Sequence, residues 1–211
     1  MLEQSNPQPP YIGRAHIPLL GDQIPQRGNW LTKTIGRLIL TIFGWHFAGP
    51  LPNQAKFIAI GAPHTSNWDY PLAAIAIWAL GVDVTIMAKH TMFRKPYGWL
   101  FRWLGLIPID RTAHHGVVEQ LAAEFSRRDK LLLGLAPEGT RSKVKRWKTG
   151  FYHIAVQAGV PILPVALDFG RKTIRFHELL FPTGNLEDDL QKLKEIYADA
   201  TGRNPELGIV G

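Results

Sequence analysis

The sequence predicts a single α/β domain: a mostly parallel sheet flanked by helices, with an N-terminal amphipathic helix set at an interface. Three observations predict it. Strand-length apolar runs alternate with segments of helical periodicity from about residue 57 to residue 202. The 211 residues give room for one sizeable core and would be cramped as two domains. Residues 30–47 set apolar side chains at helical spacing among Lys33, Thr34, Arg37 and Thr41.

Taken in order, residues 1–29 are rich in Pro, Gln and Gly and read as an extended N-terminal arm. No basic segment followed by an apolar core appears there, so the arm does not read as a secretory signal. "WLTKTIGRLILTIFGWHF" (30–47) is basic, amphipathic and flanked by Trp30 and Trp45. Such a helix suits lying in a membrane interface, and it is short for a bilayer span once Lys33 and Arg37 are counted. Residues 48–211 hold the α/β domain. A strand at about 57–61 leads to "GAPHTSNWDY", then a helix ends at Gly81. "DVTIMA" is β-rich, "TMFRKPYGWLFRWLG" helical, and "LIPID" a third strand. "AHHGVVEQLAAEFSRRD" is an amphipathic helix before the buried strand "KLLLGLA". "RWKTGFYHIAVQAG" is helical, "VPILPVALDF" and "KTIRFHE" are strands, and "NLEDDLQKLKEIYADATG" is a polar late helix. The two prolines of "VPILPV" predict an edge strand or a shaped wall. Seven tryptophans suit either core packing or a water–lipid boundary.

Composition narrows the chemistry. There is no cysteine, which excludes disulfides and a thiol nucleophile. His114 and His115 lack carboxylates at ligand spacing, so no metal site is expected. The formal charge of +7 favours an anionic partner: nucleic acid, a phosphate-bearing substrate or an acidic membrane. The basic residues do not follow one helix face and no nucleic-acid-binding motif is visible, so nucleic acid is not expected. Ser66 lacks a nucleophile elbow and does not read as a hydrolase serine.

In open α/β sheets the loops after strands hold the ligand. His64 follows one strand and "PEGTRS" (137–142) another, so both fall on one sheet edge. Inside a single helix, five residues would turn His64 and Asp69 roughly 140° apart. If Ser66 is the N-cap, Asp69 becomes the third helical residue and can reach back to a loop histidine. A carboxylate on one ring nitrogen fixes the tautomer and leaves the other as a base. Taken alone, the pair reads more readily as a cap beside a loop histidine. After "KLLLGLA", Gly139 permits close backbone approach and Arg141 can grip a phosphate. Arg111, after "LIPID", and Lys89, after "TIMA", are further cationic candidates. Glu138 can accept from hydroxyls or pair with an arginine.

Together "HTSNWD" (64–69), "GLIPIDR" (105–111), "PEGTRS" and "VPILPV" (160–165) resemble, in order and spacing, the four blocks of the phospholipid/glycerol acyltransferase family, which includes the 1-acylglycerol-3-phosphate acyltransferases. The resemblance covers about residues 57–168. It implies His64 as general base and Asp69 as its orienting partner. Lys89, Arg111, Glu138, Gly139, Thr140 and Arg141 would hold a lysophospholipid-like acceptor. The co-substrate would be an acyl-CoA or acyl carrier protein thioester, with no other cofactor. Family members work at membranes, so a peripheral or monotopic location on the cytoplasmic face and contact with an acidic membrane surface are expected. Many members carry an aromatic residue before Pro-Glu-Gly, where this chain has Ala136, and little chain follows the fourth block. Both departures leave open another lysolipid or a non-phosphate acceptor. A hydrolase using the same base and a non-catalytic lipid-binding protein are the competing readings.

Overall fold

In the computed structural model, residues 11–12, 14–89, 99, 106–109, 116–140 and 146–207 are described. A seven-stranded sheet forms the middle layer. Its strands are β3 (His46–Ala48), β4 (Lys56–Ala62), β5 (Val84–Lys89), β6 (Leu106–Ile109), β7 (Leu131–Leu135), β8 (Ile162–Asp168) and β9 (Thr173–Phe176). They lie in the order β3-β9-β8-β4-β7-β5-β6. Every pairing is parallel except β8 with β9. This is the α/β class that the alternating pattern predicts. Two short strands, β1 (Tyr11–Ile12) and β2 (Ile17–Pro18), make a separate antiparallel ribbon.

Strand alternation sorts the core into two halves. Ile58, Ile60 and Ala62 of β4 face a cluster that includes Leu121, Phe125, Ile154 and Leu193. Those residues come from α3 (Val117–Arg127), α4 (Gly150–Ala158) and α5 (Leu186–Tyr197). Phe57 of β4 faces the other half, with Leu72, Ala76, Ala79 and Leu80 of α2 (Asp69–Leu80). Outside α2 lies α1 (Trp30–Phe43). A Cβ on Gly36 would sit 2.5 Å from Ala79 N, so this glycine is what lets the two helices cross so closely.

Helix α1 is four residues shorter than the periodicity predicts. Asn29 and Thr32 close a reciprocal capping box at its start. Gly44, left-handed at φ 72°, stops it, and its N–H returns to the Leu40 and Thr41 carbonyls. His46 to Ala48 then pair with β9, so Trp45 and Phe47 are core residues. The arm is also less extended than expected: Ala15, Ile17 and Ile24 are buried against the α2 side of the sheet.

Strand β8 is interior, not an edge, despite Pro164. Proline cannot donate to the ladder, and a side chain from α5 repairs the gap. The Tyr197 hydroxyl accepts from Val165 N–H (3.0 Å) and donates to the Ile60 carbonyl (2.6 Å). On the other side the Pro164 carbonyl still accepts from His177 N–H (3.1 Å). Helix α5 ends at Tyr197, five residues before the predicted end. Asp199 is drawn instead to Arg175 (2.9 Å) and Arg171 (3.6 Å).

Candidate active site

The end of β4 and the start of α2 build the centre of the site. His64 lies two residues beyond β4, and its Nδ1 stands 3.0 Å from Asp69 Oδ2. Asp69 is 2% exposed, while a quarter of the His64 side chain reaches solvent. Asp69 Oδ2 also accepts the Ser66 backbone N–H at 2.9 Å. Two donors on one oxygen therefore fix where the carboxylate stands.

The cap differs from the one the sequence predicts. Ser66 was expected as N-cap with Asp69 three residues into the helix, but α2 begins at Asp69 itself. Trp68 already has helical φ and ψ, and the Ser66 hydroxyl accepts from Trp68 N–H (3.1 Å) in a local turn. Only the return half of a capping box survives, Asp69 to Ser66 N–H, and that half is the one that brings the carboxylate to the ring. Asp69 also sits where the positive helix end favours an anion.

Strand β7 brings the second component. Glu138, just past its end, is 1% exposed, and its Oε1 accepts the His64 backbone N–H at 2.9 Å. The resemblance implies Glu138 as an acceptor contact; in the structure one of its carboxylate oxygens holds the loop that carries His64. Burial pushes its pKa up; the His64 N–H works against this, and the Asp69 charge adds to it. Among the described residues, Glu138 Oε2 and Asp69 Oδ1 have no hydrogen-bond partner. A raised carboxyl pKa means that ionised Glu138 costs stability once pH rises through that value. Glu138→Gln should therefore melt higher than the parent at about pH 8, with the gap closing towards about pH 4. Thermal melts across that range check the sign, and a gap that grows on acidification would contradict it.

Gly139 follows in a left-handed conformation at φ 63°, with the Lys148 side chain so near that a Cβ would meet it at 2.7 Å. Thr140 is exposed beside it. The backbone of Lys89 ends β5 on the same edge. Its side chain, together with Asp110, Arg111, His114, His115 and Arg141, lies outside the described residues. So does the predicted helix at 97–105, except for Trp99, which is exposed.

Sequence reasoning missed a cavity of about 280 Å3 that His64 and Asp69 help to line and that lies between α2 and the sheet. Its walls are almost wholly apolar. Small residues make the space: Ala59 and Gly61 on β4, Gly134 on β7, and Ala73 and Ala76 on α2. Ala136, the departure noted before Pro137, lines it too. A Cβ built on Gly61 meets nothing within 4 Å, so this glycine leaves open space, not a tight crossing. A half-buried histidine held by a buried aspartate in the wall of an apolar slot can remove a proton from a hydroxyl beside a long apolar chain.

Residues 45–168 match the family model described as Acyltransferase. The 1-acyl-sn-glycerol-3-phosphate acyltransferase of Escherichia coli K12 is 32% identical over 124 residues, 56% of this chain and 49% of that protein. The protein of the same name from Haemophilus influenzae is 31% identical over 151 residues, 67% of this chain and 61% of its own length. The chain thus spans about half to three fifths of these curated relatives. Among solved structures, the Thermotoga maritima 1-acyl-sn-glycerophosphate (LPA) acyltransferase PlsC shares the fold, with a TM-score of 0.53 and 24% identity over 79% of this chain and 75% of that one.

Proposed function

The chain belongs to the Acyltransferase family, and we propose that it moves a fatty acyl group from a thioester to a hydroxyl of a 1-acylglycerol-3-phosphate-like lipid. The observation that carries this reading is the His64–Asp69 contact, 3.0 Å long, in the wall of the apolar cavity. His64 Nδ1 donates to Asp69, which leaves Nε2 free to accept the acceptor hydroxyl's proton. The oxygen attacks the thioester carbonyl, a C–O bond forms, and the C–S bond breaks. The imidazolium returns its proton to the departing thiolate, so His64 ends as it began. The acyl chain lies in the cavity, and the carrier, coenzyme A or acyl carrier protein, stays outside. Lys89, Arg111, Gly139, Thr140 and Arg141 hold the acceptor's glycerol-phosphate end, while Glu138 acts through the His64 loop.

The acyl assignment has its own test. Gly61→Leu puts a side chain into open cavity. It should move the preferred donor towards shorter chains in a competition among acyl-CoAs, at an unchanged melting temperature. An unchanged chain-length profile would show that the chain lies elsewhere.

Membrane attachment is the second part of the reading. No helix among the described residues is long and apolar enough to cross a membrane. Helix α1 nevertheless exposes Trp30, Leu31, Ile35, Leu38, Ile42 and Phe43, while Arg37 turns towards α2 and donates to the Ala79 carbonyl at 3.1 Å. It packs on α2, whose opposite side walls the cavity. An exposed apolar stripe on a helix suits a lipid surface, with the helix lying in the interface, and the formal charge of +7 favours an acidic one. Charging Leu38, Ile42 and Phe43 together to glutamate should weaken binding to phosphatidylglycerol-containing vesicles by at least about tenfold. Co-sedimentation measures this, and undiminished binding removes α1 as the contact.

A further inference from the structure

The chain after α5 reaches the catalytic loop and touches it on both sides of His64. Tyr197, 4% exposed, sends its hydroxyl between β4 and β8, donating to the Ile60 carbonyl (2.6 Å) and accepting from Val165 N–H (3.0 Å). Its ring is seated edge-on against Trp147 at 5.5 Å. Seven residues on, Asn204 Nδ2 donates to the Thr65 carbonyl (2.9 Å), and Asn204 N–H donates to Thr65 Oγ1 (3.2 Å). Between them, a Cβ on Gly202 would meet Thr65 Oγ1 at 2.6 Å and Pro63 Cγ at 3.2 Å. The backbone at Gly202 therefore lies flat against the residues that bracket His64. Arg203 stacks over the exposed Trp68 ring at 5.1 Å.

The same segment is tied down at its other end. The Thr201 carbonyl accepts from Phe169 N–H (2.8 Å), the Asp199 carbonyl from Arg171 (2.8 Å), and the Asp199 carboxylate from Arg175 (2.9 Å). Residues 197–204 thus form a strap, fixed to the β8–β9 turn and pressed on the 63–65 loop. They lie outside the segment matched by the family model.

We infer that Tyr197 and Asn204 are positioning residues for acyl transfer, fixing the backbone before and after His64 so that its ring meets Asp69 and the acceptor hydroxyl together. The inference rests on the reading of His64 as the base. Its physical content lies in how the hydrogen bonds of residues 64–66 divide among their partners. His64 N–H is held by Glu138 and Ser66 N–H by Asp69, whereas the Thr65 carbonyl and hydroxyl are held by Asn204. A proton transfer made at hydrogen-bond distance is sensitive to small displacements of the base.

The test uses Asn204→Ala and Tyr197→Phe in the full chain. Each should lower kcat for thiol release by about tenfold. KM for acyl-CoA and for lysophosphatidate should stay within about twofold. The 15N resonances of the His64 imidazole should move in both variants, while those of the other histidines remote from the strap do not. An Asn204→Ala protein with parental melting temperature and parental kcat overturns the inference, and so does a change confined to KM. If Tyr197→Phe does not fold, Asn204→Ala decides alone. If the parent transfers no acyl group from any thioester, the functional reading has failed, and the His64 resonances still decide whether the strap positions the ring. Unmoved resonances in Asn204→Ala overturn it.

Discussion

Replacing His64 with alanine should lower acyl transfer by about a thousandfold while leaving the fold and membrane binding intact. The size follows from what alanine removes. Among the described residues, only this side chain combines partial exposure, a buried carboxylate on one nitrogen at 3.0 Å, and a place on the apolar cavity. Without it the acceptor hydroxyl must lose its proton to water. The fold should survive because what neighbouring groups take from residue 64 is its backbone: Glu138 holds the main-chain N–H, which alanine keeps. The same variant separates the rival readings. A hydrolase using this base would also lose turnover, but its parent would release free fatty acid with no acylated lipid. A binding protein would show no turnover before or after the change and would keep its vesicle affinity. Thiol release with acyl-CoA and lysophosphatidate, followed by product extraction, distinguishes all three. Parental turnover in His64→Ala would end the general-base mechanism.

The parts of the site that the sequence makes legible are those built locally. His64 and Asp69 are five residues apart in the chain, so a strand end, a loop and a helix start suffice to bring them together. The parts that were not legible come from distant strand neighbours. Glu138 meets His64 N–H because β4 and β7 are adjacent in the sheet, and 74 residues of chain hide that adjacency. Its glutamate signal was visible in "PEGTRS", but its target was not. Asn204 meets Thr65 across 139 residues, from a stretch beyond the predicted late helix that the sequence assigns to no element. The prolines of "VPILPV" predict an edge strand or a shaped wall; β8 is not an edge, because Tyr197 bridges the ladder at Pro164, while Leu163, Val165 and Leu167 do form part of the cavity wall. The cavity left a trace in the run of Gly and Ala on β4, β7 and α2. Which face of the sheet those residues share depends on register, which composition does not carry. Helix α1 overran in the reading because hydrophobic periodicity continues past Gly44, while a left-handed glycine ends the helix there.

The largest remaining effect is expected at Asp69, and the geometry changes which substitution is most damaging. For a bare histidine–carboxylate pair, asparagine is the severe change, since an amide NH2 turned to the ring would select the tautomer with its proton on the wrong nitrogen. Here one oxygen, Oδ2, accepts both the Ser66 N–H at 2.9 Å and His64 Nδ1 at 3.0 Å. An amide that turned its NH2 to that position would face the Ser66 N–H, donor against donor. Asparagine should therefore keep its oxygen at the Oδ2 position and its NH2 at Oδ1, which has no partner among the described residues. The tautomer survives, and what is lost is the negative charge that stabilises the imidazolium as the proton arrives. Asp69→Asn should lower kcat by about a hundredfold with little change in KM. Asp69→Ala removes the tautomer lock as well and should lower kcat by about a thousandfold or more. It also leaves the buried Ser66 N–H without an acceptor, at a cost of about 1–3 kcal/mol in stability that asparagine avoids. Steady-state kinetics beside chemical denaturation of the two variants reads both differences. If asparagine proves as damaging as alanine, the Ser66 N–H does not set the amide's orientation and the tautomer argument returns.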